Sequence, residues 1–243
     1  MTLYIVATPI GNLKDITLRA LEVLKEVDFI LCEDTRKTKK LLTHYDIHKP
    51  LMAFHQHSLK NVFEKISVLL KSGKNLALVT EAGTPGISDP GGKLISFLVE
   101  QDFPKASLMT PPTNGFRIAK LAIRKPSIIP IPGPSALTAA LSIAGVASNQ
   151  FLFLGFPPAK KGRKKYFNRL AELNEEFPDV LYESPHRFLK TLDNLIAVLG
   201  EDKKIIVCRE LTKIYEEIFR GSLKKARAHF KNEIKGEFVL IIN

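Results

Sequence analysis

The 243-residue sequence contains very little cysteine and no long hydrophobic run. Its two cysteines, Cys32 and Cys208, both lie in apolar segments typical of strands, so we expect buried, reduced thiols and no disulfide framework. No apolar run approaches the ~18 residues that a membrane helix needs. Met1 is followed directly by a strand-like pattern without a basic segment, which indicates no signal peptide and predicts a cytoplasmic protein with no membrane partner.

Several well-known sequence patterns for ligand chemistry are also absent. The turn at residues 8–13 holds one glycine and lacks a Gly-Lys-Ser/Thr ending, which excludes both a dinucleotide fingerprint and a P-loop. Four histidines lie close together, but neither a cysteine nor a carboxylate completes a recognised metal-ligand spacing. These histidines are His44, His48, His55 and His57. No nucleophile elbow or reactive-cysteine context occurs, so we predict neither a metal site nor a covalent intermediate.

Positive charge is abundant, since 36 Lys and Arg residues against 25 Asp and Glu residues give a net charge of +11. This balance favours an anionic partner, with nucleic acid first. The charge is concentrated in three runs, and two of them flank predicted loops where they could follow a phosphate backbone. The candidate nucleic-acid contacts in these two runs are Arg36, Lys37, Lys39, Lys40, Lys160, Lys161, Arg163, Lys164 and Lys165. The third run covers residues 224–227, and any such run can instead be a solvated surface.

Strand-like and helix-like patterns alternate through the first part of the chain and predict a mainly parallel sheet covered by helices. Later strands follow one another with few helices, which predicts a mixed sheet containing antiparallel pairs. The last three strands are predicted at residues 205–208, 215–219 and 238–242. The polar stretch 145–150 marks the boundary, so we predict two α/β domains, 1–148 and 149–243. The turn-rich segment 102–125 has no role that the sequence defines.

The segment from Val79 to Gly91 is the most informative part of the sequence. It follows an apolar run typical of a buried strand, and its glycines and prolines force a tight, non-helical path. Backbone N–H groups in such a loop can point at a ligand, and two carboxylates, Glu81 and Asp89, lie within it. A strand that ends in a loop of this kind is how an α/β sheet forms a crevice for a small molecule.

Two other predicted strand ends carry glycine and proline. Residues 8–13 follow the first strand, and residues 132–136 open a helix of small residues. Each is explained either as an ordinary strand-to-helix turn or as a place where a ligand approaches the backbone. Three such loops on one sheet strengthen the second interpretation.

A charged junction, Tyr182 to Arg187, follows a predicted strand of the second domain. Ser184 as N-cap and Pro185 in the first helical turn give a purely structural explanation. Glu183 and His186 could instead transfer a proton. The residues alone leave both explanations open.

Taken in this order, the motifs resemble the tetrapyrrole methylase superfamily and, within it, the ribosomal RNA small subunit methyltransferase I family. The matching segments, which span nearly the whole chain, are residues 5–13, 33–36, 83–91, 132–136, 182–187, 209–213 and 236–240. Glu81 departs from the family pattern, which usually has aspartate there, and the connection 102–125 looks longer than the family's. The C-terminal extension of longer relatives is also missing after the last predicted strand.

The resemblance implies an S-adenosylmethionine-dependent enzyme that methylates the ribose 2′-hydroxyl of a cytidine in the decoding region of 16S rRNA. The implied partner is 16S rRNA or the small ribosomal subunit, and the implied assembly is a homodimer whose subunits bind the cofactor in a cleft between two α/β domains. Matched motif by motif, the implied cofactor contacts are Ile10, Gly11, Glu81, Ala82, Gly83, Thr84, Ile87, Ser135, Ala136, Leu154 and Pro185.

For the reaction, we expect the group Glu183, His186 and Arg187 to face the ribose as catalytic residues, with a carboxylate or an imidazole as the base. Asp89 and Glu33 are the next candidates for the base. Two alternatives are a C-methyltransferase that acts on a tetrapyrrole and a non-catalytic RNA-binding factor in ribosome assembly.

Overall fold

The computed structural model describes residues 1–54, 59–101, 127–174, 176–231 and 235–243. These residues form two compact units, which are Met1–Pro9 with Leu13–Pro134, and Ile10–Asn12 with Ser135–Asn243. The segment 102–125, His55 and His57 lie outside the described residues.

The first unit alternates strands and helices along the chain. Its elements are β1 (Thr2–Val6), α1 (Leu18–Glu26), β2 (Phe29–Cys32), α2 (Thr35–His44), β3 (Leu51–Ala53), α3 (Leu59–Lys71), β4 (Leu76–Leu78), α4 (Gly91–Glu100) and β5 (Ser127–Ile131). The strands form one sheet in the order β3-β2-β4-β1-β5, and every neighbouring pair is parallel. This arrangement confirms the predicted parallel sheet.

Helices bury both faces of this sheet, because successive strand residues point to opposite sides. On one face, Leu76 and Leu78 pack among side chains of α3 and α4. On the other face, Ala77 packs with Leu24 of α1 and Leu42 of α2. With both faces covered, the carboxyl ends of the parallel strands are where the fold places its ligand-binding loops.

The second unit is built on a mixed sheet. Its elements are α5 (Ala136–Ala144), β6 (Leu152–Gly155), α6 (Arg163–Leu173), β7 (Asp179–Glu183), α7 (Pro185–Leu199), β8 (Lys204–Arg209), β9 (Glu217–Ser222), α8 (Leu223–His229) and β10 (Phe238–Ile242). The strand order is β6-β7-β10-β8-β9, in which β6 and β7 are parallel and the other pairs antiparallel. The predicted mixed sheet is therefore confirmed.

The division of the chain differs from the predicted boundary at residue 148, since the second unit begins at Ser135. The reason is helix α5, whose Leu137 and Leu141 pack against Val180 and Val239 of the mixed sheet. Helices α6, α7 and α8 cover the opposite face of that sheet. The division also falls inside two of the predicted ligand loops. In the loop 8–13, Ile10–Asn12 belongs to the second unit, and in the loop 132–136 the second unit begins at Ser135.

Two further differences concern the end of the chain. Helix α8 is not among the predicted elements, and it carries the basic run 224–227. Strand β9 begins at Glu217 rather than at Tyr215. Cys32 and Cys208 are free and buried, as predicted, and burial raises the pKa of both thiols, that of Cys208 to about 11. In the described parts of the chain, every helix is too short or too polar to cross a membrane.

Candidate functional site

The loops that follow β1 and β4 are joined directly to each other at the sheet edge. The N–H of Thr8 donates to the carbonyl of Gly83 (2.9 Å), and the N–H of Gly83 donates to the carbonyl of Thr8 (3.0 Å). Gly83 has φ +80°, a conformation that glycine adopts at little cost. The Thr8 hydroxyl also donates to the Thr80 carbonyl at 3.3 Å. This bridge fixes the start of the Val79–Gly91 loop.

The rest of that loop is fixed by its own aspartate. The Asp89 carboxylate accepts hydrogen bonds from the N–H of Gly86 (2.8 and 2.9 Å) and from the N–H of Gly91 (2.7 Å). Gly86 and Ser88 both have positive φ, +90° and +61°. Asp89, a reserve candidate for the base, therefore holds the turn in which it lies.

The loop after β5 joins the same group. The Thr84 hydroxyl donates to the Pro134 carbonyl at 3.0 Å. A Cβ on Gly133 would lie 3.1 Å from the Cβ of Ala7, so glycine allows the two strand ends to approach closely. The structure thus brings together the first-unit parts of all three glycine-containing loops that the sequence predicts as ligand loops.

The acidic residues Glu33, Asp34 and Glu81, which follow β2 and β4, are paired with neighbours on the loop after β4 and on α2. The Thr80 hydroxyl donates to Glu33 at 3.2 Å, and Lys37 forms a hydrogen-bonded ion pair with Glu81. Asp34 caps α2 and binds the exposed Arg36, whose guanidinium holds the pKa of the Asp34 carboxyl below its usual range. Lys39 and Lys40, also in the predicted nucleic-acid run, are exposed on α2.

In the second unit, Ile10–Asn12 packs against the loop after β8. Ile10 lies in the core with Leu211, and the N–H of Asn12 donates to the Thr212 hydroxyl at 3.1 Å. A Cβ on Gly11 would lie 2.4 Å from Cγ of Lys213, which leaves no room for a side chain. The segment 209–213 resembles the family but has no role that the sequence alone predicts, because its partner is about 200 positions away.

Ser135 and Ala136 begin helix α5, and a tyrosine supplies the cap there. The N–H of Leu137 donates to the hydroxyl of Tyr182 at 3.1 Å, and burial raises the pKa of that phenol. The Tyr182 ring lies edge-on to Phe153, with ring centroids 4.9 Å apart. Leu154, another predicted cofactor contact, has its side chain on the opposite face of the sheet, so the structure does not group it with Ile10 and Ala136.

The Tyr182–Arg187 junction contains a buried carboxylate that is fully engaged. Glu183 is 1% exposed. Its Oε1 accepts from the N–H of Ser184 (2.7 Å) and pairs with Nη2 of Arg187 (2.9 Å), while its Oε2 accepts from the Thr191 hydroxyl (2.5 Å). A carboxylate held in this way fixes the orientation of the side chains and backbone around it.

Arg163, the first residue of α6, belongs to the same hydrogen-bonded group. It is 6% exposed, and its guanidinium donates to the Thr191 hydroxyl (2.6 Å), to Asn194 Oδ1 (2.7 Å) and to the Pro158 carbonyl (2.9 Å). We call this group the buried network; it comprises the buried Glu183, Thr191 and Arg163 and the half-buried Ser184, Arg187 and Asn194 that bond to them. Arg163 thus differs from the other predicted nucleic-acid contacts of its run, since Lys160, Lys161, Lys164 and Lys165 are exposed.

His186 and Pro185 lie at the surface end of the same junction. Pro185 occupies the first turn of α7 and is half-buried, whereas the His186 side chain is exposed. Of the three predicted catalytic residues, His186 is the most exposed, Arg187 is half-buried and Glu183 is buried. Searched over the described ranges, the structure contains no cluster of His, Cys, Asp and Glu that could hold a metal ion.

The sequence matches one protein family along most of its length. A family model for tetrapyrrole (corrin/porphyrin) methylases matches residues 2–106 and 114–227. Ribosomal RNA small subunit methyltransferase I of Haemophilus influenzae is 44% identical, covering 99% of this chain and 77% of that protein. The proteins of the same name from Synechocystis sp. and Thermotoga maritima are 43% and 39% identical over 99% of this chain, and 78% and 97% of their own lengths are covered.

Two solved structures are similar in fold. Diphthine synthase has a TM-score of 0.68 at 13% identity, with 100% of this chain and 89% of that chain covered. Uroporphyrin III C-methyl transferase from Thermus thermophilus has a TM-score of 0.64 at 13% identity, with 99% and 97% covered. At this identity the likeness concerns the fold alone.

Proposed function

We propose that this chain, which belongs to the tetrapyrrole methylase family and, within it, to the ribosomal RNA small subunit methyltransferase I family, methylates the ribose 2′-hydroxyl of a cytidine in the decoding region of 16S rRNA. The observation that carries the proposal is the 44% identity over 99% of the chain with a curated relative of that name. The protein is a methyltransferase, and we propose S-adenosylmethionine as its methyl donor.

The loops of the first unit fit that donor chemically. Ala82 is exposed, Thr84 adds a hydroxyl, and the half-buried Ile87 adds an apolar surface. Gly83 is buried, and its N–H and carbonyl are bonded to Thr8, so its part in the proposed site is to hold the loop in place. The carboxylate of Glu81 could attract a sulfonium cation, but it would do so fully only once the ion pair with Lys37 opens, because Lys37 offsets its charge. When bound, S-adenosylmethionine supplies an electrophilic methyl group, so the protein's own task is to position the acceptor oxygen.

The second unit would supply the remaining cofactor contacts. Ile10 and Gly11 are held by the 209–213 loop, and Ser135 and Ala136 are held by the Tyr182 cap on α5. Pro185 and the backbone of Leu154 complete the proposed set. Rigid positioning of these residues can contribute much of the rate acceleration, because aligning two reactants removes most of the entropic cost of their encounter.

For proton transfer, we propose His186 as the group that accepts the ribose hydroxyl proton, directly or through water. Glu183 and Arg187 are positioning residues in this scheme, since their hydrogen bonds fix the first turn of α7 on which His186 lies. His186→Ala should lower kcat for methyl transfer by about 10²–10⁴-fold, the usual contribution of a general base, without changing cofactor affinity. Near-normal turnover would remove His186 from the mechanism.

For RNA binding, we propose the exposed basic residues as phosphate contacts. These are Arg36, Lys37, Lys39, Lys40, Lys160, Lys161, Lys164 and Lys165. Two of them already pair with acidic neighbours, Arg36 with Asp34 and Lys37 with Glu81, so phosphate contacts would compete with those pairs. Contacts to the ribose 2′-hydroxyl would exclude DNA. A homodimer is part of the proposal and is checked by analytical ultracentrifugation.

Transfer of a labelled methyl group tests the proposed function. The purified chain is incubated with labelled S-adenosylmethionine and either small ribosomal subunits, naked 16S rRNA or a porphyrinoid. We expect label on the ribose of one cytidine in the subunits or the rRNA and none on the porphyrinoid. Label only on the porphyrinoid would establish the tetrapyrrole alternative, and no label together with no calorimetric binding of S-adenosylmethionine would establish a non-catalytic factor.

A further inference from the structure

Phe156 is a large aromatic side chain that stays exposed at the end of β6. Phe156 is 48% exposed, whereas Phe153, within β6, packs against the core. The pairing of β6 with β7 shifts in register between Phe153 and Gly155, and Gly155 has φ +61°. This irregularity turns the chain just before Phe156, so an exposed ring here is a consequence of the backbone path.

The ring of Phe156 is held from one side. It lies edge-on to Tyr182, with centroids 5.5 Å apart and planes at 61°. Tyr182 is itself fixed by Phe153 and by its hydrogen bond from Leu137. Edge-to-face packing of this kind orients a ring and leaves its other surface available.

The loop that follows the ring is fixed by two guanidinium groups, that of the buried Arg163 and that of the half-buried Arg187. Nη1 of Arg187 donates to the Pro157 carbonyl (2.9 Å), and Nη1 of Arg163 donates to the Pro158 carbonyl (2.9 Å). Both arginines belong to the buried network, and two consecutive prolines further restrict the backbone. A surface fixed in this way loses little conformational entropy when a partner binds.

Exposed positive charge lies directly beyond this loop. Lys160, Lys161, Lys164 and Lys165 are exposed, and in the described parts of the chain none of the four forms an ion pair. An aromatic ring that leads into four unpaired cations complements a nucleic-acid strand, which presents flat bases and phosphates together. The same charge does not favour an apolar protein surface or a second positively charged copy of this chain.

We propose that the Phe156 ring is a stacking platform for an unpaired base of the RNA substrate, with Lys160, Lys161, Lys164 and Lys165 binding the flanking phosphates. The inference rests on the proposed function, because it names how the RNA substrate is recognised. Base-aromatic stacking is sequence-tolerant, so the ring anchors a splayed nucleotide and does not select its identity.

Tryptophan fluorescence provides a direct test, since the chain contains no tryptophan. Phe156→Trp places a single indole at the platform, and Val68→Trp places one at another exposed apolar position, 64% exposed on α3, as the matched control. The probe is a short synthetic RNA hairpin with the decoding-region sequence, added without cofactor. We expect saturable quenching for Phe156→Trp at the concentration that half-saturates RNA binding, and no such quenching for Val68→Trp.

Affinity measurements complete the test. Phe156→Leu should bind the hairpin about five- to hundredfold more weakly, as expected for one lost stacked base, while Phe156→Tyr should bind like the parent. Equal RNA affinity for Phe156→Leu and the parent, or no quenching at an RNA concentration that saturates Phe156→Trp, would overturn the platform. A Phe156→Leu protein that dissociates into monomers but keeps its RNA affinity would also overturn it and would assign the ring to contact between copies.

These outcomes are separable from those of the proposed function. If the parent methylates small subunits while the fluorescence of Phe156→Trp stays unchanged with RNA bound, the platform is wrong and the methyltransferase assignment stands. If quenching and the affinity loss both occur but no methyl group is transferred, the platform stands and the proposed reaction is wrong.

Discussion

Gly11 shows how tightly a single residue of the candidate site is packed. A Cβ there would meet Cγ of Lys213 at 2.4 Å, the Thr212 hydroxyl at 2.8 Å and the Leu211 carbonyl at 2.9 Å. Thr212 already has φ +66°, and such strain persists only where surrounding contacts enforce it. If residue 11 carried a Cβ, moving the loop 211–213 away to make room for it would therefore cost free energy.

We predict that Gly11→Ala lowers the free energy of unfolding by about 1–3 kcal/mol, the usual cost of overpacking, and weakens S-adenosylmethionine binding. Urea unfolding and calorimetry measure the two effects. Gly92→Ala is the control, because a Cβ on Gly92 would come no closer than 3.9 Å to the nearest neighbouring atom. Unfolding and binding curves of Gly11→Ala that match those of Gly92→Ala would show that the loop is not constrained.

Asp179 is a second residue whose environment has a measurable consequence. It is fully buried at the start of β7, and neither carboxylate oxygen has a hydrogen-bond partner among the described residues. Burial raises the pKa of Asp179 to about 6, against smaller opposing effects of Asn174 and Lys203. Because the folded-state pKa lies above the unfolded value of 3.8, the folded state binds more protons between these two pH values.

The direction of the pH dependence follows from this difference. Any stability that Asp179 contributes is fully present below pH 3.8 and is lost as the pH rises through about 6. We predict that Asp179→Asn, which cannot ionise, is more stable than the parent by roughly 3 kcal/mol above about pH 7. Near about pH 3 the two proteins should be equally stable, because the carboxyl group is then protonated in both the folded and the unfolded state. Urea unfolding at both pH values measures the difference, and a difference independent of pH would show that burial does not perturb this carboxyl group.

At the scale of elements, the buried network joins β7, α6 and the middle of α7. Thr191 is its central member, since its hydroxyl donates to Glu183 (2.5 Å) and accepts from Arg163 (2.6 Å). Removal of that hydroxyl leaves a buried carboxylate oxygen and a buried guanidinium N–H without their partner. Each unsatisfied group costs about 1–3 kcal/mol.

We therefore predict that Thr191→Val, which keeps the shape, destabilises the protein by about 2–6 kcal/mol in urea unfolding, the sum for the two groups. It should also raise KM for the RNA substrate more than it lowers kcat, because the Pro157 and Pro158 carbonyls lose their fixed donors. Thr191→Ser is the matched control and should retain parental values. Destabilisation by Ser as large as that by Val would contradict the prediction, because Ser keeps the hydroxyl that Val lacks.

The elements themselves are largely predictable from sequence, whereas this network is not. β10 has the bounds 238–242 that its apolar pattern predicts, and a helix opens after residues 132–135 as predicted, because burial of one sheet or helix face imposes a clear period. Helix α8 escapes such prediction since it is only seven residues long and buries just Leu223 and Ala226. The network depends on Arg163 meeting Thr191 across 28 positions, and no local pattern records that pairing.

At the scale of the whole molecule, the net charge of +11 is spread over basic runs that differ in how far acidic neighbours neutralise them. Lys224 pairs with Glu201 and Arg227 pairs with Asp193, so the run on α8 is partly neutralised. Lys164 and Lys165 are exposed on α6 beside the Phe156 loop. Composition predicts an anionic partner, but only the structure separates these two runs, because ion pairs between distant segments are not visible in a single sequence.

The two runs permit a matched test of the RNA surface. Charge reversal of Lys164 and Lys165 to Glu should weaken binding of small-subunit RNA and lower the slope of log affinity against log salt by roughly 0.7–0.9 for each phosphate that is no longer neutralised. Reversal of Lys224 and Lys225 to Glu changes the net charge equally, also at two adjacent exposed lysines, and should leave that slope nearly unchanged. Filter binding from about 50 to about 200 mM salt measures both slopes. Long-range attraction depends on the sum of the charges, whereas direct binding depends on their position. Equal decreases in affinity and slope for the two double variants would therefore show that the total charge of the protein, and not a defined surface on α6, explains RNA binding.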